Sequence, residues 1–118
     1  MPVLKNGARI VFTASGGELT LADNISTKTK TSAYTLTTSD DCILADASAM
    51  KLTLTLPTVI GNDGLPFSIT KIDDTTNIVT IAAYTGETIL GDSSIELTEQ
   101  YESVDLKASA SNTMWFIN

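Results

Sequence analysis

Hydrophobic and polar positions alternate most cleanly between Lys51 and Leu56, where Leu52, Leu54 and Leu56 interleave with Lys51, Thr53 and Thr55. Successive side chains of a pleated strand point to opposite faces, so this spacing puts the leucines on one face and the polar residues on the other. A helical step would scatter the same leucines around the cylinder. Pro57 closes the stretch, because proline cannot donate to a ladder and is confined to strand ends and edges. The pattern predicts a half-buried strand with its terminator attached.

From Tyr34 onward the same phrase recurs at short intervals. Tyr34-Thr35-Leu36-Thr37 precedes a turn at Ser39-Asp40-Asp41, and Cys42-Ile43-Leu44-Ala45 reads as a short strand buried on both faces. Gly61-Asn62-Asp63-Gly64 marks a loop before Phe67-Ser68-Ile69-Thr70, and Asp73 to Asn77 a turn before Ile78-Val79-Thr80-Ile81. Thr88-Ile89-Leu90, Ile95-Glu96-Leu97, Glu102 to Lys107 and Met114-Trp115-Phe116-Ile117 complete the series. Ala45 to Met50 is too short for more than a turn, and no longer window holds a helical period. Short strands with turn signals every 8–12 residues are the signature of a sandwich or barrel. The prediction is an all-β, compact antiparallel β-sandwich or barrel-like domain.

Residues 1–32 differ. Ala8 to Thr13 and Glu18 to Leu21 flank Ser15-Gly16-Gly17, which predicts a β-hairpin turning at the glycines. Ser26 to Ser32 is polar throughout and reads as an exposed edge or linker whose lysines discourage edge-to-edge pairing. The expected division is an N-terminal arm with linker over 1–32 and a β-domain over 33–118.

The chain has 118 residues, enough for one domain, and a composition of 42% hydrophobic and 18% charged residues that is globular. A net charge of −7 argues against nucleic acid and anionic membrane surfaces as partners, since both need clustered Lys and Arg. No apolar run approaches the roughly 18 residues of a membrane span. Met1 to Lys5 shows no signal-peptide pattern, so the expectation is a whole small protein made in a cytoplasm.

Histidine is absent, which removes Ser-His-Asp and Cys-His catalysis and His-based zinc sites. Cys42 is the one cysteine, has no basic neighbour, and reads as a buried structural thiol. Asp40, Asp41 and Asp46, or Asp73 and Asp74, would serve a calcium ion only with a ligand spacing that is missing here, and aspartate is a common turn former. Glu99 and Glu102 would serve a glycosidase only across a cleft. Trp115 and Phe116 face opposite ways, one toward the core and the other toward the surface or a subunit contact. A sugar platform on Trp115 is the third-ranked alternative. These readings predict no enzymatic activity, no cofactor and no metal.

Residues 34–117 resemble a β-domain of bacteriophage virion structural proteins, of the tail-fibre and capsid-decoration type. The resemblance lies in Tyr34-Thr35-Leu36-Thr37, Asp40-Asp41, Ile43, Asp46, Leu52 to Pro57, Gly64 and Ile69 to Asp73. It continues through Asn77 to Ile81, Gly86, Thr88 to Gly91, Tyr101 to Val104, Asn112 and Trp115. Ala110-Ser111-Asn112 departs from the family, which places a glycine before the tryptophan. The resemblance implies a non-enzymatic virion protein, commonly a homotrimer. Apolar residues on both faces at Ile43-Leu44 and Ile78-Val79 also suggest assembly.

The size suits a capsid decoration (cement) protein that binds the major capsid protein on the outer head surface and stabilises the shell. The expected contact residues lie in the apolar arm: Val3, Leu4, Ile10, Val11 and Phe12. The alternative is a tail-fibre or baseplate component among tail proteins, with a receptor- or glycan-binding role.

Overall fold

The computed structural model describes the backbone of residues 9–15 and 18–24, and residues 26–117 in full. Leu52 and Leu54 are buried and Thr53 is exposed, as the alternation requires. The same two-residue rhythm appears in Cys42–Ala45 and Pro66–Lys71, where every second side chain enters the core.

The described residues form twelve strands: β1 Arg9–Ser15, β2 Glu18–Asn24, β3 Thr27–Lys30, β4 Tyr34–Thr35, β5 Cys42–Ala45 and β6 Leu52–Thr55. They continue as β7 Pro66–Lys71, β8 Val79–Ala82, β9 Thr88–Ile89, β10 Ser94–Leu97, β11 Ser103–Ser109 and β12 Met114–Ile117. No helix occurs among the described residues.

From β3 to β11 the chain alternates between two sheets, so sequential strands are never ladder neighbours there. One sheet has the order β3-β5-β7-β11-β12-β9 and the other β10-β8-β6-β4. The pairs β3–β5, β5–β7, β4–β6, β6–β8 and β12–β9 are parallel, whereas β7–β11, β11–β12 and β8–β10 are antiparallel. The expected antiparallel arrangement is therefore corrected: both sheets are mixed. β3, β5 and β7 form one parallel series and β4, β6 and β8 another.

Both sheets contribute to a single core, with Ile43, Phe67, Ile69, Leu106 and Trp115 from one and Leu52, Leu54, Val79, Ile81 and Leu97 from the other. Cys42–Ala45 is half-buried instead of buried on both faces, because Cys42 and Leu44 point outward and are only partly covered. The stretch 26–32 contains an edge strand: β3 pairs with β5 and is exposed along most of its length. It thus joins the main sheet although it lies in the N-terminal segment. β1 and β2 pair antiparallel from Arg9↔Asn24 to Ser15↔Glu18, as the glycine-centred hairpin predicted, and form a sheet of their own.

Leu54→Ala is expected to cost about 2–5 kcal/mol, because it empties a fully buried leucine site shared by both sheets. Thr53→Ala, one residue away on the solvent face, is expected to change stability by less than about 0.5 kcal/mol. Urea denaturation of the two variants checks the alternation directly.

Candidate functional site

The alternation that buries Phe67 and Ile69 carries Lys71 into the interior as well. A buried ammonium must be paired and hydrogen-bonded to be tolerated. Lys71 Nζ donates to Asp73 Oδ2 at 2.7 Å, to the Asp73 carbonyl at 3.1 Å and to the Thr75 carbonyl at 2.9 Å. Asp73 in turn accepts the Ala47 N–H at 2.7 Å, the Thr75 N–H at 3.2 Å and the Thr75 hydroxyl. Burial pulls the Asp73 carboxyl upward, but Lys71, the Thr75 hydroxyl and the two amides outweigh it and hold it well below the usual carboxylate range.

A second knot fastens the edge strand. Asp40 accepts Lys28 Nζ at 2.8 Å, the Tyr34 hydroxyl at 2.7 Å and the Thr37 N–H at 2.8 Å. Burial again opposes ionisation, and Lys28, Thr37 and Tyr34 together lower the Asp40 carboxyl. Lys30 Nζ lies 3.9 Å from the Tyr34 ring centroid, a cation–π contact between the edge strand β3 and β4. Asp41 Oδ2 accepts the Ser26 N–H at 3.3 Å and the Ser26 hydroxyl at 3.2 Å.

Other carboxylates serve turns in the same way. Asp46 accepts the Ser48 N–H at 3.0 Å, and buried Glu87 accepts the Val59 N–H at 2.9 Å. Glu102 accepts the Thr98 and Glu99 N–H groups at 2.7 and 3.2 Å, which lower its carboxyl. Glu99 and Glu102 are thus joined through a backbone amide, not poised across a substrate. Among the described residues no group of three or more His, Cys, Asp or Glu is placed to hold a metal ion. Burial pushes the Cys42 thiol up and Asp105 and Asp41 add to it, against a Ser68 hydrogen bond, so a reactive thiolate is disfavoured.

Trp115 is fully buried and packs against Phe67 with ring centroids 5.4 Å apart. It has no open face on which a sugar could stack, so the Trp115 platform is ruled out. Phe116 points the other way and is 39% exposed; Leu90, on the turn after the paired strand β9, is exposed as well. Leu90 sits with Gly91 in a two-residue turn at φ +47° and +93°, and its N–H donates to the Trp115 carbonyl at 3.0 Å. Such turns favour Asn-Gly, so leucine holds an unfavourable position at an exposed tip.

Tyr101 repeats that oddity. Its N–H donates to the Lys71 carbonyl at 2.6 Å, while the Lys71 N–H donates to the Glu102 carbonyl at 3.0 Å. This is a bulge whose first residue is normally glycine, yet Tyr101 adopts φ +65° there and is 69% exposed. Left-handed backbone at a bulky residue costs on the order of 1 kcal/mol or more. Immediately before it, Thr98, Glu99 and Gln100 face Asp74, Thr76 and Ile78 across an open groove of about 500 Å³. Sequence reasoning missed Lys71 and Tyr101; the inward rhythm 67-69-71 was the available signal for the first, and the second had none.

Of the expected arm contacts, Val3 and Leu4 lie outside the described residues. Ile10, Val11 and Phe12 lie in β1, in register with Asp23, Ala22 and Leu21; their side chains are likewise outside the description. No helix of the described residues is long and apolar enough to cross a membrane.

No family model matches the chain, and no curated protein matches it either.

Asp73→Asn tests the central knot through pH. A carboxyl lowered by folding contributes stability that is present above its unfolded pKa of about 3.9 and is lost as pH falls further. Asp73→Asn is expected to melt well below the native protein at pH 7, with the gap narrowing from pH 4 to pH 2. Thermal denaturation across that range reads it; a gap independent of pH would contradict the pairing.

Proposed function

We propose that the chain is a non-enzymatic structural protein of a bacteriophage virion, a capsid decoration protein on the outer head surface. The observation that carries this reading is the division between the body and its N-terminal strands. β3 to β12 close around one core, while β1 and β2 ladder only with each other. A lone two-stranded sheet is marginally stable in water and gains most from a surface to lie against. In this reading the arm, through Val3, Leu4, Ile10, Val11 and Phe12, supplies the contact to the major capsid protein.

The committed buried carboxylates fit a protein that works through surfaces instead of chemistry. Exposed Leu90 and Phe116 at one end of the six-stranded sheet offer apolar side chains for self-association. A homotrimer is the assembly that the virion reading implies, with a β-sandwich body and an arm. The second reading, a tail-fibre or baseplate component, is favoured by the groove before Tyr101, which suits a receptor-facing role.

Deleting residues 2–12 is expected to abolish binding to undecorated capsids while the body keeps its cooperative melting transition. Retained binding would overturn the assignment of the arm. Light scattering at micromolar concentration is expected to give three times the 12.5 kDa chain mass; a monomer would count against the trimer.

A further inference from the structure

The groove between the 74–78 and 98–100 segments, to which the second reading gives a receptor-facing role without naming a ligand, has a specific chemistry. Its walls carry two carboxylates, Asp74 and Glu99, the hydroxyls of Thr76 and Thr98, the Gln100 amide and the apolar Ile78. Its volume of about 500 Å³ falls within the ~300–1,000 Å³ of small-molecule sites.

Both walls are fixed before any ligand arrives. On one side the Lys71 ammonium holds the Thr75 carbonyl, and Asn77 Nδ2 donates to the Ala47 carbonyl at 2.7 Å. On the other, Glu102 holds the Thr98 and Glu99 amides, and Gln100 Nε2 donates to the Ile72 carbonyl at 3.2 Å. A preorganised wall loses little freedom on binding. Tyr101 follows on directly, a large aromatic held exposed at a position that glycine would occupy without strain. Burial does not explain that choice, and Tyr101 follows the lining residue Gln100 directly in the chain.

We propose that this groove is a binding site for neutral saccharides. Sugar hydroxyls donate to the Asp74 and Glu99 carboxylates and accept from the threonine hydroxyls and the Gln100 amide. The C–H faces of the ring suit Ile78 and the Tyr101 ring. The same carboxylates repel sialylated, sulfated and phosphorylated sugars, as does the net charge of −7. The proposal is independent of any position in a virion.

The test is an array of neutral, sialylated and sulfated oligosaccharides probed with the full chain. Calorimetry with the best neutral hit then compares the native protein with Tyr101→Gly and Glu99→Gln. Binding is expected for neutral glycans alone. Tyr101→Gly is expected to weaken it about tenfold, the equivalent of losing one aromatic contact, while melting no lower than the native protein. Glu99→Gln is expected to weaken it severalfold. No neutral binder at millimolar concentration, a preference for anionic glycans, or equal affinity in both variants would overturn the proposal.

Discussion

A chain that crosses repeatedly between two sheets must leave its ladders at every crossing, and the amides freed there need partners. Carboxylates supply them. Asp40 takes the Thr37 amide, Asp73 those of Ala47 and Thr75, Glu87 that of Val59, and Glu102 those of Thr98 and Glu99. An orphaned buried amide costs as much as a lost hydrogen bond, so these side chains hold the crossings in place. The Lys71–Asp73 pair is the most committed of them, since it ties β7, the 46–48 crossing and the 73–77 turn together. Removing either partner would strand the other charge in the core.

That constraint bears on function. An acidic chain without histidine has carboxylates as its main candidates for chemistry, and the buried ones are occupied by the backbone. Of the exposed carboxylates, Asp74 and Glu99 both line the groove. Several features that burial does not explain are at the surface, among them Leu90 and Tyr101 in strained turns and the exposed Phe116.

The strands were legible because alternation is local. Leu52, Leu54 and Leu56 face inward as their spacing predicts, and Trp115 and Phe116 divide between core and surface. Strand partners were not legible. A turn rich in Asp and Gly serves equally to reverse a hairpin or to cross to a second sheet, so the parallel pairs β3–β5–β7 and β4–β6–β8 left no separate mark. Lys71 was hidden for a related reason: a lysine reads as surface unless its register and its partner two residues on are weighed together. Tyr101 was hidden because no sequence rule places a tyrosine at a glycine's bulge position.

The most direct test of the proposed function is electron cryomicroscopy of the virion in which the proposal places this protein, asking whether it is present, where it sits and in how many copies. The account predicts density in hundreds of copies on the outer head surface, at threefold or pseudo-threefold points, with the arm against the major capsid protein. A few copies confined to the tail would contradict it.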